Sequence, residues 1–198
     1  MTISRPHSKS EIVDALTALR RDGLRYWSDL LPDQFASPLG SAWSPADNVR
    51  HLDKATAPVA LALRFPRVAL IIMFGAARDP SRTFDELRQT YLGVLSKGAT
   101  ADRFAPSPTT PPADVRHWQK HLINRCAGSI ERLERGLAPW SESDLDRYQL
   151  PHPLLGRLTV REMLLFTLYH YEHHKANVVR RMGSSEGPPK NPRTAGRA

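Results

Sequence analysis

TVREMLLFTLYHYEHHKANVVRRM, residues 159–182, decides how the rest of the chain is read. It opens with a capping box, Thr159-Val-Arg-Glu162, whose hydroxyl and carboxylate each take a free backbone N–H of a first helical turn. The segment continues as a helix to about Met182, where Gly183 is expected to close it. Its helical rows place Met163, Phe166 and Thr167, His170, His174, and Asn177 and Val178 on one stripe. That stripe is apolar above and below the histidines, so it faces the interior of a bundle.

The histidines of HYEHH, residues 170–174, are not equivalent. A helix turns about 100° per residue, so His170 and His174 lie about 40° apart and their imidazoles can meet on one cation. His173 points about 100° away from His174 and is left for a structural or surface contact. Two unpartnered imidazoles on an inward face cost free energy, so a metal or a hydrogen-bond partner must account for them. His117 and His121 have the same spacing, but their row continues through Asn124, Arg125 and Gly128 toward the polar side, and that pair is read as solvent-facing. Glu172 is displaced by one position from the HExxH pattern and faces away from the pair, so it is not read as a zincin base. No Glu-x-x-His pairs on two helices point to a di-iron centre.

A metal centre needs a third ligand from another helix. His51 is the candidate, beside the apolar row Leu52, Ala55 and Val59. Its helix begins at SPAD, residues 44–47: Ser44 caps, Pro45 suits the first position and Asp47 completes a capping box. Asp47 lies four residues before His51 on the same face, so it has two possible roles, as a cap alone or as a group that orients His51.

Outward from these segments the chain reads as helices throughout. The first runs from Ser8 or Ser10 to Leu31, with Ile12, Leu16, Leu19, Gly23, Tyr26 and Leu30 at helical spacing and Pro32 as its stop. PDQFASPLGSAW is read as a loop. The second helix carries Val49, Leu52, Ala55, Val59 and Leu63, is kinked at Pro58 and ends by Pro66. VALIIMFG is a short apolar helical segment, and Thr83–Lys97 is another helix, closed by Gly98. APSPTTPPAD is a structureless connection, followed by a helix from Pro112 to Leu137 with the row Val115, Trp118, Leu122, Cys126, Ile130 and Leu133. PWSESDLDRYQLPHPLLGR is a second connection with turn-like PHP and Gly156, and no segment alternates as a strand does. The expected fold is all-α: one bundle domain over residues 10–182, a flexible N-terminus at 1–9 and a disordered basic tail at 183–198.

Bulk properties exclude several functions. The chain of 198 residues suits one domain with a substantial core. Its formal net charge is +8, but there is no block of five or more basic residues, no aromatic–basic interleaving and no finger spacing, so the charge is read as a solvated surface and nucleic acid is not a partner. Cys126 is the one cysteine, at an apolar position of its helix, and reads as an inert buried thiol. The most hydrophobic run, residues 68–77 between Arg67 and Arg78, is half the roughly 20 residues a membrane span needs. It is read as a buried or interfacial helix in a cytoplasmic protein.

WSPADNVRHL resembles the second-helix motif of the DinB/YfiT-like superfamily, W-x-P followed by the first metal histidine. HPLLGRLTVREMLLFTLYHYEHHKANV is similar to that family's closing motif, an HPxxGxLT turn and a helix bearing H-x-x-H-H-x-x-Q. The resemblance covers about Ile12 to Met182. It implies an up-down four-helix bundle, here with extra short helices, often homodimeric, and a metal triad of His51, His170 and His174. Asn177 stands where the family often has glutamine, with a shorter arm.

Several members of that family are thiol S-transferases using bacillithiol, mycothiol or glutathione, so the resemblance implies a divalent metal and a low-molecular-weight thiol. Zinc, nickel or ferrous iron suits three imidazoles. A metal held by neutral ligands would activate a bound thiol toward an electrophilic small-molecule substrate, or alternatively a bound water for hydrolysis. The rival expectation is a non-catalytic dimeric bundle acting as a stress-related interaction protein, with VALIIMFG as its dimer surface.

Overall fold

The computed structural model describes residues 5–100 and 104–185. Helix α1, Lys9–Ala18, is capped by Ser8 and Glu11 as a reciprocal box. The long first helix expected from the sequence is broken in the middle: Leu19–Gly23 winds as a π-helical stretch before α2, Arg25–Asp29. Gly23 is where the winding changes, because a Cβ there would stand 2.7 Å from Leu19 Cδ1. Pro32 does not merely stop that helix. It opens α3, Pro32–Ala36, which inserts the fully buried Phe35 where a loop was expected.

Helix α4, Pro45–Ala62, has the Ser44–Asp47 capping box and carries Pro58 within it. Leu63–Pro66 then turns the chain by 112° into α5, Arg67–Phe74. Leu70 of α5 is fully buried, whereas Val68, Ile72 and Met73 are exposed. Helix α6, Phe84–Ser96, follows its Thr83 cap, and residues 106–114 form no regular element. Helix α7, Val115–Leu137, packs along α4 so closely that a Cβ on Gly136 would meet Leu63 Cβ at 3.1 Å and the Ala60 carbonyl at 3.4 Å.

The second connection holds more structure than its sequence announces. A short helix α8, Glu142–Arg147, precedes a hairpin of β1, Gln149–His152, and β2, Gly156–Thr159. The strands pair antiparallel with Leu150 opposite Leu158, and Gly156 takes the positive φ of 75° that the tight turn requires. Four-residue strands, the first holding Pro151 and followed by Pro153, give no readable alternation, which is why no strand was expected. The closing helix α9, Val160–Ser185, begins on the Thr159–Glu162 box and passes through Gly183 rather than ending there. The expected basic tail beyond Ser185 and the first four residues lie outside the described residues.

The architecture is an all-α bundle. The α1–α2 rod, α4, α7 and α9 share one core that includes Ile12, Leu16, Trp27, Leu52, Ile130, Leu133 and Leu164. Among the described residues no single helix is long and apolar enough to cross a membrane.

Candidate metal centre

The bundle brings His51 of α4 against His170 and His174 of α9. His51 Nε2 lies 3.1 Å from His170 Nε2, and His174 Nε2 lies 3.0 Å from the same atom. One ring nitrogen from each of the three falls within 4.8 Å of the others. Ligands about 2.05 Å from a tetrahedral ion stand about 3.3 Å apart, so the spacing suits a small divalent cation. His117 and His121, by contrast, are exposed on α7.

Two of the rings are held by groups that only accept hydrogen bonds. His51 Nδ1 donates to the Phe104 carbonyl at 2.8 Å, and His174 Nδ1 donates to Asn48 Oδ1 at 2.6 Å. In the neutral imidazole that proton leaves Nε2 with its lone pair. Two bare nitrogens therefore face His170 Nε2, a grouping that either one shared proton or a cation must hold together. Partners of this type fix ring tautomer and orientation in metal-ligating histidines. Burial pushes the pKa of all three below the usual histidine range, that of His170 and His174 well below it, and for those two the neighbouring rings add to the effect. All three are thus neutral, the form that binds a metal.

The groups around the triad differ from those its sequence suggested. Asp47 is occupied at the start of α4, where its carboxylate takes the Ser44 backbone N–H at 3.3 Å and hydroxyl at 2.7 Å and meets Arg50 at 3.1 Å. Asn177 turns away from the triad, donating to His173 Nε2 at 2.9 Å and accepting from Arg180 at 3.0 Å. The amide beside His174 is instead Asn48, three residues before His51 and anchored by its Nδ2 on the Ser44 carbonyl at 2.8 Å. The Phe104 carbonyl was not readable from sequence, since a backbone oxygen leaves no mark on residue type.

A cavity of about 250 Å³ opens beside the triad. Trp43, Val59, Leu95, Phe104, Leu154, Met163 and Phe166 supply its apolar wall, and His51, His170 and His174 all line it. The Trp43 ring lies within 8° of parallel to that of His174, with centroids 6.2 Å apart. Behind the site Tyr171 OH meets Cys126 Sγ at 3.1 Å and Thr56 Oγ1 at 3.2 Å. Complete burial pushes the Cys126 thiol up to about 12, so it is no nucleophile at neutral pH.

The family model described as the DinB superfamily matches residues 15–178, a span that contains His51, His170 and His174. No curated protein matches the chain.

Proposed function

The chain belongs to the DinB superfamily, and from that premise we propose that it is a metal-dependent enzyme of the thiol S-transferase type. His51, His170 and His174 are its ligands for a divalent ion, with zinc, nickel and ferrous iron the metals that suit them. The observation that carries this reading is the convergence of three Nε2 atoms, two of them stripped of their protons by Phe104 and Asn48. An ion held there would supply a Lewis acid that favours the thiolate form of a bound low-molecular-weight thiol.

The protein's own residues do the remaining work. Asn48 and the Phe104 carbonyl hold two ligand rings in the metal-binding tautomer, so only the proton shared with His170 has to leave when the site fills. The apolar wall excludes water from one side of the triad, which favours attack by a thiolate over competing hydrolysis. No side chain in the pocket needs to act as the nucleophile, since Cys126 is sealed away from it.

Metal analysis of the purified protein and of His170→Ala tests the reading. Bound metal in the first and its loss in the second are expected. Equal, near-zero metal in both would sink the proposal. A thiol-transfer screen with bacillithiol, mycothiol and glutathione then identifies the thiol.

A reading of assembly rests on a separate observation. Val68 and Ile72, four residues apart on α5, and the adjacent Met73 are exposed apolar side chains. Groups of this kind mark contact surfaces, and we assign this one to a homodimer.

A further inference from the structure

His152, the last residue of β1, is a polar group of the cavity, besides Thr56, Tyr91, Thr100, Thr167 and His173, that the metal reading leaves unused. Its side chain is 8% exposed and lines the same cavity as the triad. Its Nδ1 accepts two backbone hydrogen bonds, from Leu154 N at 3.2 Å and Leu155 N at 3.1 Å. An imidazole nitrogen that accepts twice carries no proton, so the proton of the neutral ring sits on Nε2. Among the described residues Nε2 has no hydrogen-bond partner. The ring packs edge-on against Phe166 with centroids 4.3 Å apart, and Phe166 stacks on His170 at 5.1 Å. His152 is therefore one aromatic ring removed from a triad histidine. Burial depresses its pKa to about 4, which keeps the ring neutral at physiological pH.

The remaining wall defines what such a donor would meet. No lysine, arginine, aspartate or glutamate lines the cavity among the described residues. In the metal-free cavity a charged molecule would lose its hydration to these residues without an opposite charge in return, at a cost of several kcal/mol. A neutral apolar molecule loses little, and an acceptor oxygen on it regains a hydrogen bond from Nε2.

We propose that this cavity binds an uncharged, largely apolar substrate bearing a carbonyl-type oxygen, and that the His152 Nε2–H is the donor that recognises that oxygen. The assignment rests on the thiol-transfer reading for its place in the reaction: this molecule is the electrophile, and the charged ends of the thiol stay outside the cavity. The binding itself does not depend on that reading. His152 acts by positioning, held in one tautomer by the hairpin turn between β1 and β2.

Fluorine NMR titration of the metal-free full chain tests this with three probes of similar size, and zinc uptake is measured separately. They are para-fluoroacetophenone, para-fluoroethylbenzene, which lacks the acceptor, and para-fluorobenzoate, which is charged. The ketone is expected to bind about two- to tenfold more tightly than the hydrocarbon, the worth of one net hydrogen bond, and the benzoate more weakly than either. His152→Asn keeps an acceptor for the turn, but its shorter amide does not reach the position of Nε2, so the ketone should lose more affinity than the hydrocarbon and the preference should disappear. His152→Gln, whose amide reaches the Nε2 position, should recover part of it. If the variants do not fold, the ranking of the three probes on the unaltered protein still decides. Tighter binding of benzoate, no preference for the ketone, no binding by any probe, or equal loss for ketone and hydrocarbon in His152→Asn overturns the proposal. Metal-free protein that ranks the probes as expected but takes up no zinc would refute the metal reading alone.

Discussion

Replacing Asn48 with alanine should weaken the metal site without touching a ligand. Asn48 Oδ1 is the acceptor for His174 Nδ1–H, at 2.6 Å, and its Nδ2 is tied to the Ser44 carbonyl, so the amide cannot turn over without breaking two bonds. In Asn48→Ala the Nδ1–H of a largely buried ring is left without a partner, which costs about 1–3 kcal/mol. The ring escapes that cost by shifting its proton to Nε2, and there the proton occupies the lone pair the metal needs. Either way the penalty is set against binding. At about 1.4 kcal/mol per tenfold, the expected loss of zinc affinity is about 10- to 100-fold. Competition with a fluorescent zinc chelator measures it, and thermal unfolding of the metal-free variant separates the effect from a general loss of structure. Asn48→Asp keeps an acceptor at the same distance and adds a charge that favours Nδ1–H, so it should retain most of the affinity. Unchanged zinc affinity in Asn48→Ala would refute the argument that this amide sets the tautomer.

Acid should destabilise the metal-free protein through its buried histidines. The pKa of His152 is depressed to about 4 from an ordinary 6.5, so below pH 6.5 the unfolded chain takes up a proton that the folded chain refuses. Stability is therefore full above pH 6.5 and declines as pH falls toward 4. The interval is worth about 3 kcal/mol at roughly 1.4 kcal/mol per pH unit. Urea unfolding at pH 7 and pH 4 should show His152→Asn losing up to about 3 kcal/mol less than the unaltered protein, and equal losses would contradict the assignment. Gly136→Val forces two helices apart where a Cβ already meets Leu63 Cβ at 3.1 Å. Its cost of about 2 kcal/mol should lower Tm by about 4–8 °C in a scanning melt; an unchanged or higher Tm would show that the α4–α7 contact is slack. Ile72→Asp alters a side chain 80% exposed on α5, so Tm should move little while light scattering reports a fall from dimer to monomer mass. An unchanged mass would remove α5 from the interface.

The triad was legible in the sequence because helical period alone separates His170 and His174 from His173, and because His51 sits beside an apolar row on another helix. The same period shows where a residue lies around its own helix, but not which residue of a neighbouring helix it meets. Asn48 illustrates this: its link to His174 depends on the register of α4 against α9, whereas Asp47, nearer in kind to a ligand partner, is consumed by the cap it forms with Ser44. The π-helical stretch at Leu19–Gly23 escaped for a similar reason. Glycine there reads as a weak spot in a helix, and only the fold of Leu19 over it shows why the winding changes.

The division between what was and was not readable follows the division of labour in the site. The three clustered histidines stand on long helices, whose rigidity fixes their Nε2 atoms and whose periodicity makes them visible. Trp43, Phe104 and His152 come from connections or from a four-residue strand, where neither period nor propensity assigns a direction. These are also groups that fix the tautomer of a triad ring or line the cavity. A substitution in the helices therefore changes whether the site can hold an ion. On the proposed reading, one in the connections changes what approaches it.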